Sequence, residues 1–176
     1  MQKTVLVFGL IAGAILSVLM SVGLAFHDQL GFDRAEVVGY TNMVAAFLMV
    51  YFGIRSYRDN VAGGSVSFGR AFVVGLLISL IATVCYVAVW EVIYFNFMPD
   101  YLDKYAVYAL SKMKESGATA AQIAEKAKRL ADLKEMYGNP LINVAMTSLE
   151  PLPVGILFTL VSAFALSRKR GAVQAA

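Results

Sequence analysis

The sequence predicts an all-α integral membrane protein: a four-helix bundle with an amphipathic helical hairpin between the third and fourth membrane spans. Apolar residues make up 59% of the 176 residues and charged residues only 15%, which leaves too little polar surface to cover a water-soluble domain. The charges also cluster between four apolar runs, and each run has about the 20 residues that a helix needs to cross a bilayer. We therefore treat residues 1–176 as a single membrane domain.

The first span is predicted at about 4–26 and the second at about 37–54. The first contains no charged residue and is longer than the roughly 7–15 apolar residues of a signal-peptide core, so we expect a retained helix. Small residues recur in it at every fourth position, which lets another helix approach closely in lipid; they are Gly9, Gly13, Ser17, Ser21 and Ala25. A polar loop at 27–36, with Gly31 as its turn residue, is expected to join the two spans.

The third span is predicted at about 71–97. A basic loop precedes it, in which Gly63-Gly64 marks a turn. A second stripe of small residues follows the same spacing: Ala71, Gly75, Ser79 and Thr83. The aromatic residues from Trp90 onward are typical of the membrane–water interface, so the span should end there.

A hydrophilic insert at about 100–137 has nearly balanced charges and reads as two amphipathic helices. Three tyrosines at positions 101, 105 and 108 fall on one face of the first helix. Ser116-Gly117 should end it, and Thr119 with Gln122 forms a predicted capping box for the second. Such a hairpin can lie on the membrane surface, bind a partner, or cover the mouth of the bundle. We expect that it covers the mouth of the bundle.

The fourth span, predicted at about 139–167, begins with Asn139-Pro140 as N-cap and first helical residue. It is interrupted at Glu150 by the prolines at 151 and 153, and a third small stripe follows it: Gly155, Thr159 and Ala163. Helix-interior prolines leave the carbonyls four residues earlier without an N–H donor, here those of Thr147 and Leu149. Alternatively, Thr147 and Glu150 form a capping box, and a new helix simply starts at the break.

Glu150 is therefore the leading candidate for an ion or proton site, together with Glu91 and Asn42. An ionisable group inside a span is a functional hypothesis because a charge is costly in hydrocarbon. At 1.5 Å per residue, Glu91 and Glu150 lie about 30 and about 26 Å from the cytoplasmic end of their helices, in the same outer layer. The competing interpretations are a structural breakpoint or a contact with lipid or a partner at Glu150, and an interhelical hydrogen bond at Asn42.

Basic residues collect on one side of the predicted bundle, at Lys3, in the loop around Gly63, and at Arg168-Lys169-Arg170. The positive-inside rule then places both termini in the cytoplasm and the hairpin outside. Three residues of this face are candidate lipid-headgroup contacts: Arg55, Arg58 and Arg70. The glycines among them lack the spacing of a phosphate-binding loop.

Several segments together resemble a bacterial family of four-helix membrane proteins that is catalogued as a domain of unknown function. The segments are Gly9-Leu-Ile-Ala-Gly13, Gly53-Ile-Arg55-Ser-Tyr-Arg58-Asp59, Gly63-Gly64-x-x-x-Phe68-Gly69-x-Ala71, and Glu150-x-Leu152-Pro153-Val154-Gly155 with the basic tail. The resemblance implies four spans and a location in the inner membrane. It implies no activity, substrate or catalytic residue.

Composition excludes several functions. A net charge of +3 that is scattered along the chain does not indicate nucleic-acid binding. One histidine and one cysteine give no basis for a metal cluster, a cofactor or a catalytic set, so we do not expect an enzyme. We expect an accessory or scaffold protein whose hairpin meets a protein partner, with membrane lipids and a homo-oligomer as further contacts. A transporter or channel subunit that uses Glu150, and an anionic-lipid-binding protein, are the alternatives.

Overall fold

A computed structural model of the protein describes residues 1–167, apart from the side chain of Asp28. Within this range the chain forms seven helices and no strand, which confirms the all-α prediction. The helices are α1 (Gln2–Ala25), α2 (His27–Asn60), α3 (Phe68–Asn96), α4 (Tyr101–Glu115), α5 (Ala120–Tyr137), α6 (Pro140–Ser148) and α7 (Pro151–Ser167). The basic residues at 168–170, which were predicted to face the cytoplasm, lie outside the described residues.

Four segments are long and apolar enough to cross a membrane: Gln2–Ala25, Gln29–Asn60, Phe68–Asn96 and Pro140–Ser167. Their outward faces are apolar, with Leu6 and Val84 among the exposed side chains, whereas Ser79 and Thr159 are fully buried. Apolar residues outside and small polar residues inside are the arrangement expected of helices surrounded by lipid. The chain is a membrane-embedded four-helix bundle, as predicted.

The predicted loop at 27–36 is too long, because residues 27–30 already form one helical turn and the helix resumes directly after the interruption at Gly31. Gly31 has φ 69° and ψ 162°, a conformation available essentially to glycine alone, so the predicted turn at this residue is confirmed. The charged residues that suggested a loop lie on a helical extension instead. A helix needs apolar residues only where it meets hydrocarbon, so polarity alone did not mark its end.

The loop between α2 and α3 is also shorter than predicted, because α2 continues to Asn60. Gly63 and Gly64 have φ values of 70° and 85°, which confirms the predicted turn. The chain therefore reverses over residues 61–67, and α3 begins at Phe68.

Helices α1 and α7 each pack against both α2 and α3. The small stripes of α3 and α7 meet: a Cβ built at Gly155 would lie 2.9 Å from the Cβ of Ser79, and the Ser79 hydroxyl donates to the Gly155 carbonyl over 3.3 Å. The stripe of α1 is used only in its first half. Gly9 and Gly13 are buried against α3, whereas Ala25 at the other end is exposed.

The two helices of the insert form the predicted hairpin, joined at Gly117 (φ 79°). The capping box is confirmed. The backbone N–H of Gln122 donates to the Thr119 hydroxyl over 3.3 Å, and the backbone N–H of Thr119 donates to Gln122 Oε1 over 2.9 Å. Lys134 of α5 pairs with Asp103 of α4, with 2.6 Å between Nζ and Oδ1. The two helices are thus held together by a charge pair at the end remote from their turn.

Replacing Gly13 by alanine should destabilise the bundle, because the new Cβ would lie 2.6 Å from the Cβ of Cys85 and force α1 away from α3. We expect a loss of about 1–3 kcal/mol, the usual effect of overpacking. The measurement is the thermal unfolding midpoint in detergent. Gly23→Ala on the same helix is the control, because a Cβ there meets nothing within 4 Å; equal losses in both variants would contradict the prediction.

Candidate functional site: a tyrosine-lined cavity

A cavity of about 450 Å³ lies at the end of the bundle away from the Gly63-Gly64 turn, within the size range of small-molecule sites. Helices α1, α2 and α3 form its walls, and α4 and α5 close over it. Many of its lining residues carry aromatic rings: His27, Phe32, Tyr40, Tyr86, Trp90, Tyr101, Tyr105, Tyr108 and Tyr137. The rest of the bundle is tightly filled by Phe47, Val50 and Ile54 of α2 and by Ile78 of α3, all fully buried.

The side of the cavity formed by α1 is hydrocarbon. Leu16, Leu19, Met20 and Leu24 line it, and Met43 of α2 continues the same surface. Leucine and methionine side chains adapt easily to the shape of an apolar occupant. The cavity therefore has an apolar wall on one side and aromatic rings with polar tips on the other.

Glu150 lines the cavity at the break between α6 and α7. The Tyr86 hydroxyl of α3 donates to its Oε2 over 2.9 Å, while much of the carboxyl side chain is exposed to the cavity. The new helix does start at Pro151, so the breakpoint is confirmed. It also turns the carboxylate toward the space between the helices.

Two details predicted for this break are wrong. The carbonyl of Thr147 is not free, because the Glu150 amide donates to it over 3.3 Å. The alternative capping box between Thr147 and Glu150 is not formed either. Thr147 lies inside α6, the Glu150 backbone amide donates to its carbonyl, and its hydroxyl donates to Asn143 Oδ1 over 3.0 Å. The local turn and the Asn143 side chain satisfy these groups instead.

Asn143 is the centre of a polar network that the sequence did not reveal. It is fully buried, and its Oδ1 also accepts from Trp90 Nε1 over 3.0 Å. Its Nδ2 donates to the Tyr137 carbonyl over 3.4 Å. These bonds tie α6 to α3 and to the end of α5. The one available signal was that Asn143 and Thr147, four residues apart, share a helix face.

The structure brings together two of the three predicted ion-site residues. Asn42 lines the same cavity as Glu150. Glu91 does not line it, because it follows Trp90 on α3 and so points about 100° away around the helix. Its Oε1 is buried and has no hydrogen-bond partner among residues 1–167. An ion or proton role for Glu150 and Asn42 stays a prediction, and Glu91 lies apart from them.

The tyrosine face of α4 covers the cavity through contacts with Phe32 of α2. The Phe32 ring lies 4.9 Å from that of Tyr108 and 5.5 Å from that of Tyr105, centroid to centroid. Tyr101, farther along α4, is half-buried, and burial together with the nearby Glu150 carboxylate raises its pKa to about 12. Its hydroxyl therefore stays protonated and able to donate at physiological pH.

A polar latch, formed by Asp33, Tyr108 and Lys112, holds α4 to α2. Lys112 Nζ lies 2.7 Å from Asp33 Oδ2, and the Tyr108 hydroxyl donates to Asp33 Oδ1. The Asp33 carboxylate raises the pKa of Lys112. Because the lysine pKa is raised, the ion pair stabilises the folded protein in full below the ordinary lysine pKa. This stabilisation is lost as the pH rises through the raised value. The latch is thus fully charged at neutral pH.

The arginines predicted to contact lipid headgroups lie at the opposite end of the bundle. Arg58 is largely covered and donates to Asp59 over 2.7 Å, and Arg55 Nε lies 3.6 Å from the same carboxylate. Arg70 is exposed at the start of α3. Because Arg58 is largely covered while Arg55 and Arg70 are exposed, the headgroup prediction is better founded for Arg55 and Arg70.

Residues 7–168 match the profile of a family described as "Protein of unknown function (DUF4199)". The chain belongs to this family. The match covers every helix that lines the cavity and confirms the resemblance that the sequence suggested. Neither the curated proteins nor the solved structures contain a match to this chain.

Replacing Asn143 by leucine should destabilise the junction of α3, α5 and α6, because it leaves the part-buried Trp90 N–H and the buried Thr147 hydroxyl without their acceptor. We expect a loss of roughly 1–3 kcal/mol and a shift in the emission of Trp90, the chain's single tryptophan. Both can be followed in one fluorescence-detected unfolding experiment. Asn96→Leu is the control, since Asn96 is exposed and donates only to Val92 of its own helix; a similar loss there would contradict the network's role.

Replacing Asp33 by asparagine should loosen α4 without unfolding the bundle, because it removes the charge that holds Lys112. We expect backbone hydrogen exchange in α4 to become roughly two- to fivefold faster, the scale of an exposed charge pair. Asp100→Asn is the matched control, because Asp100 pairs with Lys104 within the same segment and does not reach α2. Unchanged exchange in the Asp33 variant would show that the aromatic contacts alone hold the cover.

Proposed function

We propose that the protein is a small accessory membrane protein that binds a small molecule in the cavity beneath α4. The observation that carries this proposal is a cavity of about 450 Å³, partly covered by α4, at one end of an otherwise tightly packed bundle. A packed helical bundle has no structural need for such a space, because filling it would add stability. A binding role accounts for the space.

The chemistry of the lining supports binding rather than catalysis. Small-molecule sites are mostly apolar with a few convergent polar groups, and here Glu150, Asn42 and Thr147 are polar groups among rings and aliphatic chains. No group of three His, Cys, Asp or Glu residues within residues 1–167 is placed to hold a metal ion. The lining therefore supports a binding role, and the absence of an enzymatic activity stays a prediction.

Ion- or proton-coupled transport is the second candidate, favoured by the broken helix at Glu150. A transported ion would have to pass the fully buried layer formed by Phe47, Val50 and Ile54, so transport needs a second conformation or an oligomer. Flux into proteoliposomes, with wild type beside Glu150→Gln, decides between the two functions. Glu150-dependent flux would establish transport, and its absence would leave the binding role.

We further propose that the bundle resides in a bacterial inner membrane with both termini in the cytoplasm. The basic residues near the Gly63-Gly64 turn support this orientation. The cavity and its cover then face the periplasm or the exterior, where they meet molecules that have not crossed the membrane.

The surfaces that are exposed outside the cavity indicate which partners the protein would contact. The face of α5 that is turned away from the bundle carries alternating charges, including the exposed Glu125, Arg129 and Asp132, and would receive a protein partner. The small-residue stripe of α1 beyond Gly13 is only partly buried and would suit a homo-oligomer. Arg55 and Arg70 would contact anionic lipid headgroups.

The binding role can be tested by native mass spectrometry of the protein released from its own membranes. We expect wild type to retain a small-molecule adduct and Gly39→Phe to lose it, because Gly39 lines the cavity and a Cβ there meets nothing within 4 Å. Gly69→Phe is the matched control, since Gly69 has equal free space outside the cavity. An adduct that survives in the Gly39 variant, or no adduct in wild type, would contradict the proposal.

The orientation can be tested with single cysteines in a Cys85→Ser background. Ser116→Cys, at the turn between α4 and α5, should react with a membrane-impermeant maleimide in intact cells. Ser65→Cys, in the turn between α2 and α3, should react only after permeabilisation. The reverse pattern would invert the topology and place the cavity in the cytoplasm.

A further inference from the structure

We infer that the occupant of the cavity is an amphiphilic organic cation: an amine or quaternary ammonium that carries an apolar body. This inference rests on the proposed binding function and names the ligand class of that site. Three features of the lining lead to it: its charge, its aromatic rings and its apolar wall.

The charge of the cavity is acidic. Glu150 and Glu36 line it, and its described lining contains neither lysine nor arginine. Lys112, the basic residue of the latch, is paired with Asp33. An anion placed in the cavity would meet Glu150 without a compensating cation, whereas a cation would be attracted to the Glu150 carboxylate.

The rings of the cavity suit the same ligand. The faces of tyrosine, tryptophan and phenylalanine carry negative potential and attract cations that lie within about 6 Å of the ring centre, and such rings form the cages that bind quaternary ammonium groups. The Trp90 and Tyr101 ring centres lie 5.4 Å apart at an interplanar angle of 85°. Perpendicular rings form the corner of a cage, and Glu150 lines the same cavity.

The apolar wall excludes a simple inorganic cation as the intended occupant. Metal ions select several oxygen ligands at short range, but the α1 side offers Leu16, Leu19 and Met20. A cavity of about 450 Å³ is also far larger than such an ion requires. Hydrocarbon on one side with a carboxylate and rings on the other matches a molecule that has an apolar body and one charged end.

The test uses two probes of the same shape and opposite charge, tetraphenylphosphonium and tetraphenylborate. Each is titrated into full-length protein in phosphatidylcholine nanodiscs, and the emission of Trp90 reports on the cavity that it lines. Comparing each variant with wild type for the same probe removes the unequal partitioning of the two probes into lipid.

We expect a saturable change with tetraphenylphosphonium and none with tetraphenylborate. Glu150→Gln should weaken phosphonium binding at least about tenfold; glutamine still offers Tyr86 an acceptor, so this variant should fold. Glu91→Gln makes the same carboxylate-to-carboxamide exchange on α3, outside the cavity, and should bind within twofold of wild type. Tyr105→Phe should bind as wild type does, and Tyr105→Leu about two- to fivefold more weakly, because only the ring face is needed.

Equal binding of the two probes, or phosphonium binding that Glu150→Gln leaves unchanged, would overturn the cation class and still show that the cavity binds ligands. No saturable change with either probe would also overturn the cation class. The binding function would then stand or fall with the adduct seen by mass spectrometry, so the two proposals fail separately.

Discussion

The close approach of α3 to α1 and α7 is the constraint on which the rest of the structure depends. Gly9 and Gly13 bring α1 onto α3, and Gly75 and Gly155 bring α3 and α7 together. In lipid, apolar side chains gain little by leaving hydrocarbon for one another, so contact between backbones must hold the helices. Because α3 is fixed on both sides, the residues on its last turns are fixed too.

Those last turns of α3 determine the geometry of the cavity. Tyr86 reaches Glu150 and Trp90 reaches Asn143, so one helix orients both the carboxylate at the break and the short α6 before it. Polar groups in a membrane interior must find partners within the protein. The break in the fourth span is therefore tolerated because α3 supplies the donors that it needs.

Much of this fold follows from one-dimensional patterns. The apolar runs, the stripes of small residues on α3 and α7, the capping box at Thr119 and the position of the break at Glu150 are all local signals that the structure confirms. The start of α2 was missed because charges beyond the hydrocarbon do not end a helix. The cavity was missed for another reason: its rings come from helices far apart in sequence, and only the packing of α4 over Phe32 brings them together. Asn42 and Glu150 share that cavity, whereas Glu91 is directed elsewhere by its rotation around α3.

The backbone conformation at Gly31 has a consequence for how such a protein can change over evolutionary time. Any residue with a Cβ would be strained at φ 69° and ψ 162°, and Phe32, the residue on which the cover rests, comes directly after it. The leucines and methionines of the α1 wall carry no such restriction. Selection can therefore reshape the apolar side of the cavity by single substitutions while the position of its cover stays the same. Homologues should therefore vary in the apolar side of the cavity sooner than in the position of its cover.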